Sequence, residues 1–372
     1  MTQRSRANKN RPTLGDIAKK AGVSVTTASL VLGDKAAKHR IAEETYQRVK
    51  QAAAELDYAP NLLVHSLQRG STHILSFFNG YRHRGAQDLY MDTLSTAIER
   101  AGGRYGYDIL VNCDFNRTPE EMYRHLNGGV VDGVLFFAPL PNDPLLPFLR
   151  ASRLPTVLLN ARDETGVLPC VKDDVESGMR QVAERLLALG HRRIAVFSEN
   201  VYASRDTQER IAWLQTFLQK GGVVIPERWI LPYEGDTRAS FLALMREPEP
   251  PTALFCWRDR IAYYLLEHCE KLGIAVPDQL SVIGYDGLHW PAATRHTAAS
   301  VKVDLDALAD AAIRLLLQTL QGSEPDSVNT LLPVTLMEGT TLAPPLRVAY
   351  LKGETEDVSQ APEKSQVWFY LD

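Results

Sequence analysis

Two rhythms of apolar positions divide the chain. Between Thr13 and Leu56 the apolar residues recur three and four positions apart, the period of short amphipathic helices. Leu14, Ile17, Ala18 and Ala21 share one face, with Thr13 placed to cap the helix, Asp16 three residues on and Gly22 to end it. Ser24 is placed to cap a second helix, with Ala28, Val31 and Leu32 inward and Val25, Thr26, Thr27 and Ser29 outward, until Gly33 and Asp34 stop it. A third helix is expected from about Glu43 to Leu56, with Val49, Ala52, Ala53 and Leu56 inward. Tyr58, Ala59 and Pro60 break the pattern.

From about His73 the rhythm changes to short apolar runs alternating with amphipathic helices. ILSFF from Ile74, YDILVNC from Tyr107, VDGVLFFA from Val131 and PTVLLN from Pro155 form one series of expected strands. RRIAVFS from Arg192, TALFCW from Thr252 and LSVIGYD from Leu280 form a second. Strands apolar throughout, spaced by helices such as Val175 to Leu189 and Arg260 to Leu272, predict parallel sheets covered on both faces. The fold class is therefore α/β: a three-helix head, then two doubly wound lobes. Arg347 to Asp372 loses the rhythm, is rich in Glu, Lys, Ser and Gln, and reads as a flexible tail.

The 372 residues exceed one ordinary core, in keeping with two or three domains. Charge sharpens the division. The chain carries a net −4, yet residues 1–70 hold twelve Lys/Arg against six Asp/Glu, a net +6, which leaves −10 on the remainder. A basic head on an acidic body fits a polyanion partner for the head, or merely a solvated charged segment. No run of eighteen apolar residues is present and the opening MTQRSRANKN lacks a signal-like apolar stretch, so a cytoplasmic protein without membrane contact is expected. The four cysteines form no CxxC pair, which points to free thiols rather than a metal or disulfide site. GxGxxG, GxxxxGK[ST], GxSxG and HExxH are all missing, so no enzymatic reaction and no cofactor are suggested.

Thr13 to Asp34 has the form of a helix-turn-helix, with small Ala18 and Ala21 allowing close crossing and Gly22 and Val23 making the turn. Such a pair presents the start of its second helix to a DNA major groove; an ordinary helical hairpin is the alternative. In NLLVHSLQRGST, Asn61 is placed to cap a one- to two-turn helix too short to persist alone. Paired with a copy across a dimer axis, that helix can push Leu67 between base steps of the minor groove; otherwise it is a linker with a few packed leucines.

Taken with IAEETYQRVKQAAAELDYAPN, VDGVLFF, ALGHRRIAVFS, PTALFCWRD, PDQLSVIGYDG and LLPVTLMEGT, these stretches resemble the lactose-repressor (LacI/GalR) family from about Pro12 to Thr341. The resemblance implies a regulator of transcription, most commonly a repressor, whose partners are double-stranded operator DNA and a small-molecule effector. It implies a head at 1–60, a hinge helix at 61–72, one sensor lobe at 73–162 and 304–328, and the other at 163–303 and 329–346. A tail follows at 347–372. By the same resemblance Val25, Thr26 and Ser29 read bases, Ser24 and Thr27 lie near phosphates, Tyr58 and Asn61 lie near the DNA backbone, and Leu67 is the wedge. Thr13, Leu14, Leu30, Thr45, Val64 and His65 complete the expected DNA-contacting set. Asn160, Arg210 and Asp286 match effector contacts between the lobes, in a cleft suited to a sugar or sugar derivative.

The departures from the family pattern carry information too. Leu30 stands where an arginine usually reads guanine, so the preferred operator should lack the family's usual central CG. Ala42 replaces a capping serine at a cost of roughly 1 kcal/mol. The loop after the first sensor strand has become NGYRHRG, and Arg258 stands where Asn is usual. Arg258, with Arg82 or Arg84, would favour an acidic effector, or else pairs with Asp259 or Asp286. Trp257, Trp290 and Tyr285 are either stacking surfaces for a sugar or core. The expected assembly is a homodimer gripping a near-palindrome, with cleft closure ordering or melting the hinge. A cytoplasmic binding protein without a DNA role is the rival reading.

Overall fold

The computed structural model describes residues 12–33, 41–59, 66, 70–80, 88–112, 116–198, 205–233, 237–323 and 328–345. It divides into two units, Met1–Ile74 with Arg124–Asp132, and Leu75–Tyr123 with Gly133–Asp372.

In the first unit, α1 (Leu14–Ala21), α2 (Val25–Leu32) and α3 (Glu43–Glu55) pack pairwise around Ile17, Ala18, Ala21, Ala28, Val31, Val49, Ala52 and Ala53. Local chemistry sets each boundary. Thr13 and Asp16 form a reciprocal capping box, the Asp16 amide donating to Thr13 Oγ1 and the Thr13 amide to Asp16 Oδ2. Gly22 closes α1 at φ +64°, a conformation cheap only for glycine, and its amide and that of Val23 bond back to the last turn. Ser24 Oγ accepts from the Thr27 amide at 3.0 Å and starts α2. At the start of α3, Ala42 provides no side-chain cap.

The second unit holds two six-stranded sheets. The first contains β1 (Ile74–Asn79), β2 (Asp108–Asn112), β3 (Gly133–Phe137), β4 (Thr156–Leu159), β5 (Cys170–Asp173) and β11 (Asn329–Leu332), in the order β2-β1-β3-β4-β5-β11. The second contains β6 (Ile194–Ser198), β7 (Ile230–Pro232), β8 (Ala253–Cys256), β9 (Ser281–Asp286), β10 (Ala299–Lys302) and β12 (Thr335–Met337), ordered β7-β6-β8-β9-β10-β12. The two orders repeat one another, and each reverses direction beside its first strand, between β1 and β3 and between β6 and β8. β12 is antiparallel to β10. β3, β4, β6, β8 and β9 are buried along their whole length, which is why they read as unbroken apolar runs.

The chain crosses between the sheets after Asp173, after Lys302 and after Leu332. The first and last of these crossings fall later than the expected 162 and 328, because β5 and β11 both belong to the first sheet and pair with each other. β11 has an alternating, half-exposed pattern and β5 carries Lys172, so neither has the continuous apolar run used to find strands. Aspartates open the helices that follow two crossings: Asp174 Oδ1 accepts from Ser177 N at the start of α7 (Val175–Ala188), and Asp304 Oδ1 from Ala307 N at the start of α11 (Leu305–Leu320). α11 packs on α4 (Leu89–Arg104) and the first sheet, while α7 packs on α8 (Arg205–Lys220) and β12.

Two predictions follow from local chemistry. Ala42→Ser supplies the missing cap and should stabilise α3 by about 1 kcal/mol. Hydrogen exchange of the first α3 amides in the full chain should slow about fivefold; no slowing would show that the helix start is limited elsewhere. His191 is fully buried, with Nδ1 2.9 Å from Thr252 Oγ1 and Nε2 3.0 Å from the Ala343 carbonyl oxygen. Burial lowers its pKa from 6.5 to about 4, against the opposing pull of the Ala343 carbonyl. Between those values the unfolded chain binds a proton that the folded chain refuses, so stability is complete above pH 6.5 and falls toward pH 4 by roughly 3 kcal/mol. Urea unfolding of His191→Gln at about pH 7 and about pH 4.5 should show a smaller difference than the parent chain; an equal difference would assign the titration to another group.

Candidate functional site

The head offers one outward surface at the start of α2. Val25 is 52% exposed, an unusual position for a valine, and Ser24 and Thr26 beside it are exposed as well. Thr27, Ser29, Leu30, Leu14, Thr45 and Tyr58 are half-buried, and Thr13 is exposed. Ser24 Oγ and Thr27 Oγ1 lie 2.8 Å apart, so the two hydroxyls are held as a pair at the helix N-terminus, where amide donors and the helix dipole favour a phosphate. Asn61, Val64, His65 and Leu67 lie outside the described residues, as do Arg82 and Arg84.

The second unit brings Asn160, Arg210, Arg258 and Asp286 into the wall of one cavity of about 70 Å³, together with Asp88, Tyr90, Met91, Phe137, Ala138 and Trp257. The topology explains the meeting. Ala138 and Asn160 follow the ends of β3 and β4, Trp257 and Arg258 follow β8, and Asp286 ends β9. These are carboxyl ends of strands, and β3 and β8 stand beside the points where each sheet reverses its order, where α/β sheets open a crevice. Ala138, Asn160 and Asp286 all have positive φ, +44°, +52° and +110°, although none is glycine. Non-glycine residues held in this region store strain at strand ends, as binding sites often do.

Arg210 is the electrostatic centre of the cavity. Only 5% exposed, it donates from Nη1 to the Trp257 carbonyl at 2.7 Å and stacks its guanidinium 3.6 Å from the Tyr285 ring centroid. Asp286 Oδ1 is 3.9 Å from Arg210 Nη1, an ion pair beyond hydrogen-bond reach, so guanidinium and carboxylate face one another. Arg258 lies over the other aromatic, 4.2 Å from the Trp257 ring. Tyr285 is core rather than a stacking surface: it is fully buried and its hydroxyl donates to Asp173 Oδ2 in a very short bond. Trp257 is 6% exposed and lines the cavity, whereas Trp290 is not among its lining residues.

The polar lining is arranged around proton donors. Asn160 Nδ2 donates to the Tyr90 hydroxyl at 2.5 Å. Burial, then the carboxylates of Asp286 and Asp173, raise the Tyr90 pKa well above its ordinary value, so the phenol keeps its proton. Burial and then Asp286 likewise push the Asp259 carboxyl up. A side chain at position 284 would meet Asp259 Oδ1 at 2.0 Å, which accounts for Gly284 beneath it. Asn160 Oδ1 and Trp257 Nε1 are buried without a hydrogen-bond partner among the described residues, and such atoms concentrate where ligands supply the partner.

Several residues near the cavity escaped the sequence reading. Tyr90 and Asp88 stand at the start of α4 with no periodic signal to single them out. Lys172 is a cation in the middle of buried β5, a local conflict that does mark it; it pairs with Glu209 at 2.6 Å. Both line a second cavity of about 230 Å³ that shares Asn160 and Ala138 with the first. Among the described residues no group of His, Cys, Asp and Glu is arranged to hold a metal ion, and no helix is long and apolar enough to cross a membrane. Cys170, Cys256 and Cys269 are buried free thiols.

Residues 13–61 match the bacterial regulatory proteins of the lacI family, and residues 183–342 the periplasmic binding protein-like domain. The HTH-type transcriptional repressor PurR of Vibrio parahaemolyticus is 32% identical over 284 residues, covering 74% of this chain and 82% of the relative. PurR of Escherichia coli is 27% identical over 328 residues, covering 85% and 93%. The crystal structure of the lac repressor dimer bound to operator and the anti-inducer ONPF superposes with a TM-score of 0.75 at 25% identity, covering 90% of this chain and 99% of that one. The cellobiose complex of the transcriptional regulator CelR superposes with a TM-score of 0.63 at 25% identity, covering 89% and 100%. This chain therefore belongs to the lacI family of bacterial regulatory proteins, with a helix-turn-helix head followed by two parallel-sheet α/β lobes.

Proposed function

We propose that this protein is a homodimeric transcriptional repressor, not an enzyme, whose affinity for a near-palindromic operator is set by a sugar or sugar derivative in the Arg210 cavity. One observation carries the reading: Asn160, Arg210, Arg258 and Asp286, drawn from four separate stretches of chain, line a single cavity at the carboxyl ends of strands from both sheets. A guanidinium facing a carboxylate suits vicinal hydroxyls, and a flanking aromatic suits the apolar face of a pyranose or furanose. Arg258 beside Arg210 supports a derivative that carries an acidic group. On the head, the exposed Val25 and Thr26 beside the paired hydroxyls of Ser24 and Thr27 suit apolar base contact flanked by phosphate contact. The relatives named as repressors, and the solved neighbours holding operator, ONPF or cellobiose, support the same assignment.

The chemistry links the two sites by differential binding. An effector that prefers one separation of the lobes shifts the equilibrium between lobe arrangements, and with it the spacing of the two necks that follow the heads. Leu30 in place of a guanine-reading cation makes the central steps of the operator a matter of apolar contact and deformability.

A gel shift with the DNA upstream of the protein's own gene tests the regulatory reading. Retardation of that DNA over random competitor at moderate ionic strength, altered by at least one sugar, sugar phosphate or nucleoside, is the expected result; equal retardation of both DNAs under every condition contradicts it. Leu67→Ala should cost specific binding at least tenfold while leaving non-specific binding near the parent value, and equal loss on both would remove the wedge role. Arg210→Lys keeps the charge but loses the planar fork, so the effector found by screening should bind at least tenfold more weakly by calorimetry. Unaltered effector affinity would move the site elsewhere.

A further inference from the structure

The segment that joins the head to the first sheet is held by one side chain that the sequence reading did not mark. Gly70, at φ +73°, donates its amide to the Ser66 carbonyl at 2.8 Å, and the next three residues converge on Asp132. Ser71 Oγ donates to Asp132 Oδ2 at 2.5 Å and the His73 amide to the same oxygen at 2.9 Å. The Thr72 amide and hydroxyl both donate to Oδ1, each at 2.7 Å. The backbone returns the contact, since Asp132 N donates to the Ile74 carbonyl at 2.8 Å. Four donors from three consecutive residues thus fill one carboxylate, and His73 is kept at φ +55°, where a non-glycine residue does not rest unaided. Burial alone would raise the Asp132 pKa, but the hydrogen bonds from Ser71, Thr72 and His73 outweigh it and hold the carboxyl below its ordinary value.

Position gives this cluster a role beyond local stability. Asp132 directly precedes β3 and Ile74 opens β1, two strands paired in register from Leu75 and Gly133 onward. The clamp therefore joins the exit of the neck to the two strands beside the point where the first sheet reverses its order. We propose that Asp132 is a positioning residue for operator recognition: it holds residues 71–73 in one fixed path up to Ile74, so that the chain leaving the neck has no slack there. Released, three extended residues supply about 10 Å of play. A tether with that much play lowers the effective concentration of a correctly placed neck. The head itself is untouched, so contacts made by its basic surface with any DNA persist.

The inference rests on the proposed operator binding, and the test separates the two. The full chain selects a duplex from a randomised library; that duplex and an unselected one, both fluorescein-labelled, are then titrated with the parent chain, Asp132→Ala and Asp132→Asn. Asp132→Ala should bind the selected duplex ten- to a hundredfold more weakly, with the unselected duplex within twofold of the parent and the main thermal transition little changed. Asp132→Asn keeps one acceptor oxygen and should fall between the two. Hydrogen exchange should quicken at the Thr72 and His73 amides in both variants. Selected-duplex affinity equal to the parent's, or equal loss on both duplexes, overturns the positioning role while leaving DNA binding in place. A parent chain that selects no duplex removes the regulatory reading, and this inference with it.

Discussion

A guanidinium can lie in a protein interior only if its charge and its donors are met there, and much of the second unit's architecture meets those of Arg210. The Trp257 carbonyl at the end of β8, the Tyr285 ring inside β9 and the Asp286 carboxylate at the end of β9 come from neighbouring strands, so their spacing is fixed by sheet registry rather than by loops. Tyr285 is in turn anchored on Asp173 at the end of β5, which belongs to the other sheet, and Lys172 beside it pairs with Glu209 one residue before Arg210. The cation is thus tied to both sheets through short contacts. Displacing one sheet against the other must disturb those contacts.

The head obeys a different economy. Its buried core is small and rich in alanine, which lets three short helices cross closely but leaves little apolar area to stabilise them. Boundary chemistry carries much of the specification: the capping box at Thr13, the left-handed Gly22, and the Ser24 cap. With so few residues in the core, the start of α2 is left facing outward, open to a partner. The exposed Val25 and Thr26 are the residues left for that partner once Ala28 and Val31 are committed to the core.

Much of this was legible from residues alone, for identifiable reasons. Helices of the head follow period and caps, and the buried strands announce themselves as apolar runs because both faces are covered. The four cavity residues Asn160, Arg210, Arg258 and Asp286 were reached through family resemblance; the strand ends that carry Asn160, Arg258 and Asp286 meet Arg210 of α8 at one wall. β5 and β11 were missed because one carries a charge paired across the molecule and the other is a half-exposed edge, so neither has a one-dimensional signature. Tyr90 and Asp132 were missed for a related reason. Their partners, Asn160 and the Ser71 to His73 segment, are about sixty or seventy positions away in sequence, and only folding puts them together.

A DNA site and a small-molecule site on one chain that regulate one another must do so reciprocally. The most direct measurement is calorimetric titration of the effector into the free chain and into the chain saturated with its selected operator. The expected ratio of the two effector affinities equals the ratio of operator affinities measured with and without effector, and differs from one by at least fivefold. Identical effector affinities in both titrations would contradict it.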